Sequence, residues 1–111
     1  MRVLYVEDHA LFASIVTDTF LTEHDVERVD SIATALQRPY DSYDAVLVDY
    51  DLPDGKGTAV VRHVRATHPQ LPIVAVSSHD RGNAALLEAG ANAACRKDEA
   101  ARLAPLLARI S

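Results

Sequence analysis

The sequence predicts an α/β fold in which a parallel sheet of five strands is covered by helices on both faces. Three short apolar runs rich in β-branched residues are typical of strands that are buried on both sides, namely Val3–Val6, Ala45–Val48 and Ile73–Val76. Two segments of mixed character, Val26–Val29 and Ala93–Cys95, are typical of edge strands. Helical spacing of apolar residues fills the intervals between them. Alternation of this kind indicates parallel strands joined by right-handed helical crossovers.

The apolar spacing predicts five helices, each following one strand. The residues that define them are, in chain order, Leu11, Phe12, Ile15, Val16 and Phe20; Ile32 and Leu36; Val60, Val61 and Val64; Ala84, Leu86 and Leu87; and Leu103, Leu106, Leu107 and Ile110. Gly90 is expected to end the fourth helix in a left-handed conformation, and Pro105 to kink the fifth helix or delay its start. With three apolar strands in the centre and two mixed strands at the edges, the pattern fits the flavodoxin-like, doubly wound order 2-1-3-4-5.

Length and charge restrict the class of protein. The 111 residues suffice for one domain, 1–111, and 49% of them are hydrophobic, which excludes a disordered chain. The formal net charge is -5 and no run of basic residues occurs, so direct binding to nucleic acid is not expected. The single cysteine, Cys95, favours a reducing compartment. Neither a signal peptide nor an apolar run of about 18 residues is present, so we expect a cytoplasmic protein without a membrane segment.

Polar side chains follow four of the five predicted strands. Glu7 and Asp8 follow the first strand, Asp49 follows the third, Ser77 the fourth and Lys97 the fifth. Because ligands of open α/β sheets bind outside the carboxyl ends of the strands, we expect these side chains to form one site. The segment VLVDYDLPDG lies at its centre, where an apolar strand ends abruptly in three carboxylates, a proline and a glycine.

The residue types indicate a particular chemistry. Three carboxylates in one pocket repel one another, and a cation would relieve that repulsion. Mg2+ suits such a site because it takes oxygen ligands and needs only one or two carboxylates beside waters and a phosphoryl oxygen. An aspartate beside Mg2+ can act as a nucleophile towards phosphorus and form an aspartyl phosphate. A lysine and a hydroxyl would then stabilise the phosphoryl oxygens.

Four pieces of sequence stand in an order and spacing that a known family shares, namely Glu7-Asp8, DYDLPDG at 49–55, Ser77 and GANAACRK at 90–97. With them the chain resembles, over essentially its whole length, the receiver domain of two-component response regulators, of the chemotaxis-regulator-like kind. The resemblance implies a signalling domain rather than an enzyme. Such a domain catalyses only its own phosphorylation and dephosphorylation.

The resemblance also implies roles for the acidic residues. Asp49 would accept a phosphoryl group from a phosphohistidine on a sensor histidine kinase or a histidine phosphotransfer protein. Asp8, Asp49 and the backbone carbonyl of Asp51 would ligate Mg2+. Glu7 would act through a metal-bound water.

The same resemblance implies roles for two further residues and for the surface of the domain. Lys97 would pair with the phosphoryl group, and Ser77 would move to hydrogen-bond it, together with the loop before the fourth helix. The changed surface would signal to a downstream protein target. A homodimer is one arrangement that the sequence leaves open.

Three positions depart from the pattern of the family. Ala94 stands where many receiver domains carry an aromatic residue, so the aromatic half of the usual switch is absent. Ser78 stands where Ala or Gly is common, which would narrow access for the phosphoryl group. Asp98 replaces a proline and is expected to cap the last helix.

Three other functions compete with a phosphorylation-dependent switch. A phosphate sink or relay intermediate would need no large conformational change, which suits Ala94. A non-phosphorylated interaction module would keep the fold without the chemistry. A small phosphohydrolase of the haloacid dehalogenase kind is suggested by Asp49-Tyr-Asp51, but Pro53 stands where that class has Thr or Val.

Overall fold

The structure is a computed structural model that describes residues 1–110. The strands of its main sheet are β1 (Arg2–Val6), β2 (Asp25–Val29), β3 (Ala45–Val48), β4 (Ile73–Ser77) and β5 (Ala93–Arg96). The helices are α1 (Ala10–Phe20), α2 (Ile32–Leu36), α3 (Thr58–Thr67), α4 (Asp80–Ala89) and α5 (Leu103–Ile110). A short hairpin of Asp51–Leu52 with Gly55–Lys56 lies between β3 and α3, and 3-10 segments lie at Tyr40–Ser42 and Lys97–Arg102.

The strands form one parallel sheet in the order β2-β1-β3-β4-β5, which is the predicted order 2-1-3-4-5. Every residue of β3 and β4 is buried, because helices cover both faces of the centre of the sheet. The edge strands β2 and β5 are only partly buried, as their mixed composition predicts. The registers Val6↔Val48, Val48↔Ala75 and Ser77↔Arg96 bring the carboxyl ends of four strands to one edge.

The sheet separates two apolar cores. Leu4 and Val6 of β1 belong to the core that α2, α3 and α4 cover, whereas Val3 and Tyr5 belong to the core that α1 and α5 cover. This alternation follows from the period of two residues in a strand. Within residues 1–110, no helix has the length and apolar character that crossing a membrane requires.

The buried face of α1 differs from the predicted one. Leu11 and Ile15 are 76% and 52% exposed, whereas Ala13 and Val16 are buried. Successive residues are about 100° apart round a helix, so Leu11 and Ile15 lie on the side of α1 away from Ala13 and Val16. The apolar residues of α1 cover more than one face, and only packing decides which face meets the sheet.

The buried face of α4 is also displaced from the predicted one. Leu86 is buried as expected, but Leu87 is 42% exposed and Ala84 is exposed. Gly82 and Asn83 complete the buried face instead. A buried asparagine interrupts the apolar spacing from which the face was predicted.

Of the two predictions about helix ends, the one for Gly90 is confirmed. Gly90 ends α4 with a φ of +127°, and its amide donates a hydrogen bond to the Leu87 carbonyl (3.0 Å). Pro105 does not delay the start of α5, because it lies in the first turn of that helix, which begins at Leu103 as the apolar pattern does. The missing N–H of proline costs nothing there, because amides of the first turn have no partner within the helix.

Asp98 does not cap the last helix, contrary to the sequence prediction. Its carboxylate accepts a hydrogen bond from the guanidinium group of Arg96 (2.7 Å). The 3-10 segment Lys97–Arg102 separates Asp98 from the start of α5 at Leu103.

The N-terminus of α2 is held by two side chains. Ser31 accepts a hydrogen bond from the amide of Thr34 (3.2 Å). Asp54, in the loop after β3, accepts hydrogen bonds from the amides of Ile32 and Ala33 (2.9 Å each). These two bonds lower the pKa of the Asp54 carboxyl, because they stabilise its ionised form. The loop after β3 is thereby tied to α2.

Asp54→Ala is expected to destabilise the domain, because two helix amides lose their acceptor. Urea unfolding should show a lower midpoint with an unchanged m value. Since the folded pKa of Asp54 lies below its unfolded value, the contribution is present at neutral pH and is lost as the pH falls below about 4, through the folded pKa.

Asp30→Ala is the matched control, because Asp30 lies next to the same helix and its carboxylate bonds to none of residues 1–110. Equal midpoints for the two variants would show that Asp54 does not hold α2.

Candidate functional site

Three carboxylates meet at the carboxyl end of the sheet. Glu7 and Asp8 follow β1, and Asp49 follows β3 directly. One carboxylate oxygen from each residue lies within 4.8 Å of those of the other two. Glu7 is fully buried and Asp49 is 4% exposed. The structure thus brings together the acids that the topology places at one edge.

The sheet and the start of α3 fix the main chain of these acids. The amide of Glu7 donates to the Val29 carbonyl and the amide of Asp49 donates to the Val6 carbonyl (3.0 Å each), so both residues continue the hydrogen bonding of the sheet. A Cβ at Gly57 would lie only 1.9 Å from the carbonyl oxygen of Asp49. Only glycine therefore allows α3 to begin so close to Asp49.

The ammonium group of Lys97 bridges two of the three acids. Its Nζ lies 2.7 Å from Oε1 of Glu7 and 2.9 Å from Oδ2 of Asp49. The ring centroid of Phe12, on α1, lies 5.1 Å from Nζ. The Lys97 side chain is only 14% exposed, so these ion pairs are shielded from water.

Burial and the neighbouring charges shift the pKa values of the site. Burial raises the pKa of Glu7 and the charge of Asp49 raises it further, while the hydrogen bond from Lys97 opposes the shift. Burial alone would lower the pKa of Lys97, but its hydrogen bonds with Glu7 and Asp49 raise that pKa overall. With every group ionised, three carboxylates and one ammonium group leave a net charge of -2.

The acidic cluster has the features of a divalent cation site. Oδ1 of Asp8 is buried and has no hydrogen-bond partner among residues 1–110. A buried carboxylate oxygen without a partner costs free energy unless a cation or water binds it. Carboxylate oxygens are the ligands that Mg2+ prefers, and its two positive charges match the excess negative charge. The residues present therefore fit the predicted metal.

A small cleft of about 190 Å³ opens beside the cluster. Its lining consists of His9, Asp49, Asp51, Ser77, Ser78, His79 and Lys97. Ligand pockets for drug-sized molecules begin at about 300 Å³, so this cleft suits a smaller group. The Oγ of Ser77 accepts a hydrogen bond from the amide of His79 (3.2 Å). The carboxylate of Asp51 pairs with Lys56 and does not join the acidic cluster.

Sequence reasoning missed three residues that support the cleft. Phe12 was expected only in the core, and the contact of Gly57 depends on tertiary packing that no local pattern reveals. Asn83 is 6% exposed, and its Oδ1 accepts a hydrogen bond from the Ser77 amide (3.1 Å). Its spacing of three residues from Leu86, on the same helix face, is the signal that could have found it.

The match to known proteins covers nearly the whole chain. The family model of the response regulator receiver domain matches residues 3–109. The protein-glutamate methylesterase/protein-glutamine glutaminase of a Nocardioides species is 34% identical over 98 residues, which make up 80% of this chain and 26% of that protein. The chain therefore spans about a quarter of the length of that relative.

Two solved structures share the fold over almost their full length. A putative response regulator from Chloroflexus aurantiacus J-10-fl is similar at a TM-score of 0.83 and 29% identity, covering 98% of this chain and 95% of that chain. The receiver domain of the sensor histidine kinase PA1611 from Pseudomonas aeruginosa PAO1 has a magnesium ion coordinated in its active-site cleft. It is similar at a TM-score of 0.79 and 28% identity, covering 97% of this chain and 94% of that chain. The parallel sheet and the acidic cluster at its edge agree with the family match over residues 3–109. This chain therefore belongs to the response regulator receiver domains.

Proposed function

We propose that this receiver domain accepts a phosphoryl group on Asp49 from a phosphohistidine of a sensor histidine kinase or a histidine phosphotransfer protein, in a Mg2+-dependent reaction. The observation that carries the proposal is the position of Asp49. It directly follows a fully buried strand, and its carboxylate lies against two further acids and one lysine. Clusters of buried charged groups are more common at functional sites than elsewhere in a fold.

Both oxygens of the Asp49 carboxylate are held. Oδ1 accepts a hydrogen bond from the Tyr50 amide (2.7 Å), and Oδ2 accepts one from Lys97 (2.9 Å). In the proposed reaction an oxygen of Asp49 bonds to phosphorus while the bond from phosphorus to the histidine nitrogen breaks. The electron pair leaves with the imidazole, which takes up a proton. The products are an aspartyl phosphate and a neutral histidine.

Lys97 and Ser77 would stabilise the transferred group. The Nζ of Lys97 already lies against Asp49, so it would neutralise charge on the phosphoryl oxygens. The hydroxyl of Ser77 lines the same cleft and can donate a hydrogen bond to one of those oxygens.

Mg2+ would be held by Asp8, Asp49 and the main-chain carbonyl of Asp51, with Glu7 acting through a bound water. Its charge would offset the negative charge of the acids and of the phosphoryl group. The buried Oδ1 of Asp8, without a partner among residues 1–110, supports this assignment, as does the magnesium ion in the Pseudomonas aeruginosa receiver domain.

Phosphorylation would alter the surface around α4 and present it to a downstream protein target. Ser77 ends β4, and its hydroxyl accepts from the amide of His79, the residue before α4. A role as phosphate sink or relay is the second candidate. It is favoured by Ala94 on β5, because no aromatic ring is present there to reorient.

Incubation with acetyl phosphate and Mg2+ is expected to add one phosphoryl group to the wild-type protein and none to Asp49→Asn, because the nucleophile is lost. Intact-mass spectrometry measures the addition, with a second arm that omits Mg2+. Asp98→Asn is the control, since this exposed acid next to Lys97 pairs with Arg96 outside the cleft, and it should label like the wild type. An adduct that persists in Asp49→Asn would refute the assignment.

Mg2+ is expected to raise the thermal midpoint of the wild type, because it binds the folded state. Asp8→Asn should weaken the Mg2+ affinity at least about tenfold, since a charged ligand is lost, and titration calorimetry measures this. Without metal, Asp8→Asn should unfold at a higher temperature than the wild type, because one of several repelling charges is removed.

Asp18→Asn serves as the control for this experiment, because Asp18 is an acid on α1 outside the acidic cluster. Its Mg2+ affinity should equal that of the wild type. An unchanged affinity in Asp8→Asn would remove Asp8 from the ligands.

A further inference from the structure

One buried polar side chain is not used by the proposed phosphoryl transfer. Four polar or charged residues are buried within residues 1–110, namely Glu7, Asp49, Ser77 and Asn83. The first three belong to the phosphoacceptor cleft. Asn83 lies in the first half of α4, with its amide directed to the main chain between β4 and β5.

The carboxamide of Asn83 holds both polar main-chain groups of Ser77. Its Oδ1 accepts from the Ser77 amide (3.1 Å), and its Nδ2 donates to the Ser77 carbonyl (3.5 Å) and to the Cys95 carbonyl (3.3 Å). Ser77↔Arg96 is the last pair of β4 with β5, so the amide adds a connection where the two strands end. The position of Ser77 relative to the strand that precedes Lys97 is thereby fixed.

The hydroxyl of Ser77 lies in a gap that α4 leaves open. A Cβ at Gly82 would lie 2.6 Å from Oγ of Ser77 and 2.9 Å from Cβ of Tyr50, so only glycine leaves this space. In the same position Oγ accepts the hydrogen bond from the His79 amide. A rotation of the hydroxyl towards Asp49 would empty the gap and free that amide. The first turn of α4 therefore contacts the group whose orientation would change.

We propose that Asn83 is a positioning residue: it fixes the main chain of Ser77, so that the hydroxyl reaches a phosphoryl group on Asp49 by side-chain rotation alone. The first turn of α4, at Gly82, responds to that rotation. This role rests on the proposed function of Asp49. It also gives a route for the signal that does not need an aromatic residue at Ala94.

The physical argument concerns order in the segment that carries Ser77. Without the carboxamide, the buried Ser77 amide and Cys95 carbonyl lose their partners, and the end of β4 must find another arrangement. The Ser77 hydroxyl would then have to become ordered when a phosphoryl group binds, and this would weaken the binding. The proposed Mg2+ ligands follow β1 and β3, and Asn83 bonds to none of them, so the affinity for Mg2+ alone should not change.

The test is a titration of the full chain with beryllofluoride in saturating Mg2+, where beryllofluoride stands in for the phosphoryl group. Asn83→Ala should weaken its binding roughly tenfold, as expected for the loss of one well-placed hydrogen bond. Asn92→Ala is the matched control. The Asn92 carboxamide also binds main chain, at the Ile73 amide (2.8 Å), but at the opposite edge of the sheet. It should leave the affinity unchanged.

A double-mutant cycle separates positioning from general destabilisation. In a Ser77→Ala background, Asn83→Ala should cause no further loss of beryllofluoride affinity, because the hydroxyl through which it acts is absent. An equal loss in both backgrounds, or no loss in the wild-type background, would overturn the positioning role.

Two further outcomes keep the inference distinct from the function on which it rests. If the wild type neither binds beryllofluoride nor forms the aspartyl phosphate, the proposed function fails and the positioning role fails with it. If Asn83→Ala does not fold, NMR of the wild type decides. Beryllofluoride should shift the side-chain amide resonances of Asn83 and not those of Asn92, and unshifted Asn83 resonances would overturn the inference.

Discussion

The two ion pairs of Lys97 are the interaction on which the cleft depends. Two carboxylates buried at the ends of neighbouring strands repel each other, and each carries a desolvation cost of roughly several kcal/mol. One ammonium group bonded to both offsets that cost. Because Lys97 follows β5 while Glu7 and Asp49 follow β1 and β3, the pairs also join three strands across β4. Ser77, which ends β4, is enclosed by this arrangement.

The sequence predicts the parts of the fold that depend on one-dimensional pattern. Buried parallel strands are continuous apolar runs, and parallel order gathers their carboxyl ends, so the pattern alone places Glu7, Asp49 and Lys97 at one edge of the sheet. Helix faces were predicted less well. Leu11 is apolar yet exposed and Asn83 is polar yet buried, because packing against the sheet overrides hydropathy at single positions.

The close contacts of two glycines could not be predicted from the sequence. Gly57 and Gly82 look like ordinary loop and helix glycines in the sequence, yet each leaves room for a group of the cleft at less than van der Waals distance from a Cβ. On the sides that face these glycines, Asp49 and Ser77 leave no space for a further methyl group. A shift of the Asp49 carbonyl towards Gly57, or of the Ser77 hydroxyl towards Gly82, would therefore displace neighbouring atoms.

The capping of α2 by Asp54 has a consequence for the order in which the chain folds. A helix of five residues is far below the length of about 12–15 residues at which isolated helices become marginally stable. Two of its amides find their acceptor only 22 and 21 positions further along the chain. During synthesis from the N-terminus, α2 lacks this acceptor until the loop after β3 has left the ribosome. The second crossover of the sheet therefore becomes ordered together with the segment that carries Asp49, not before it.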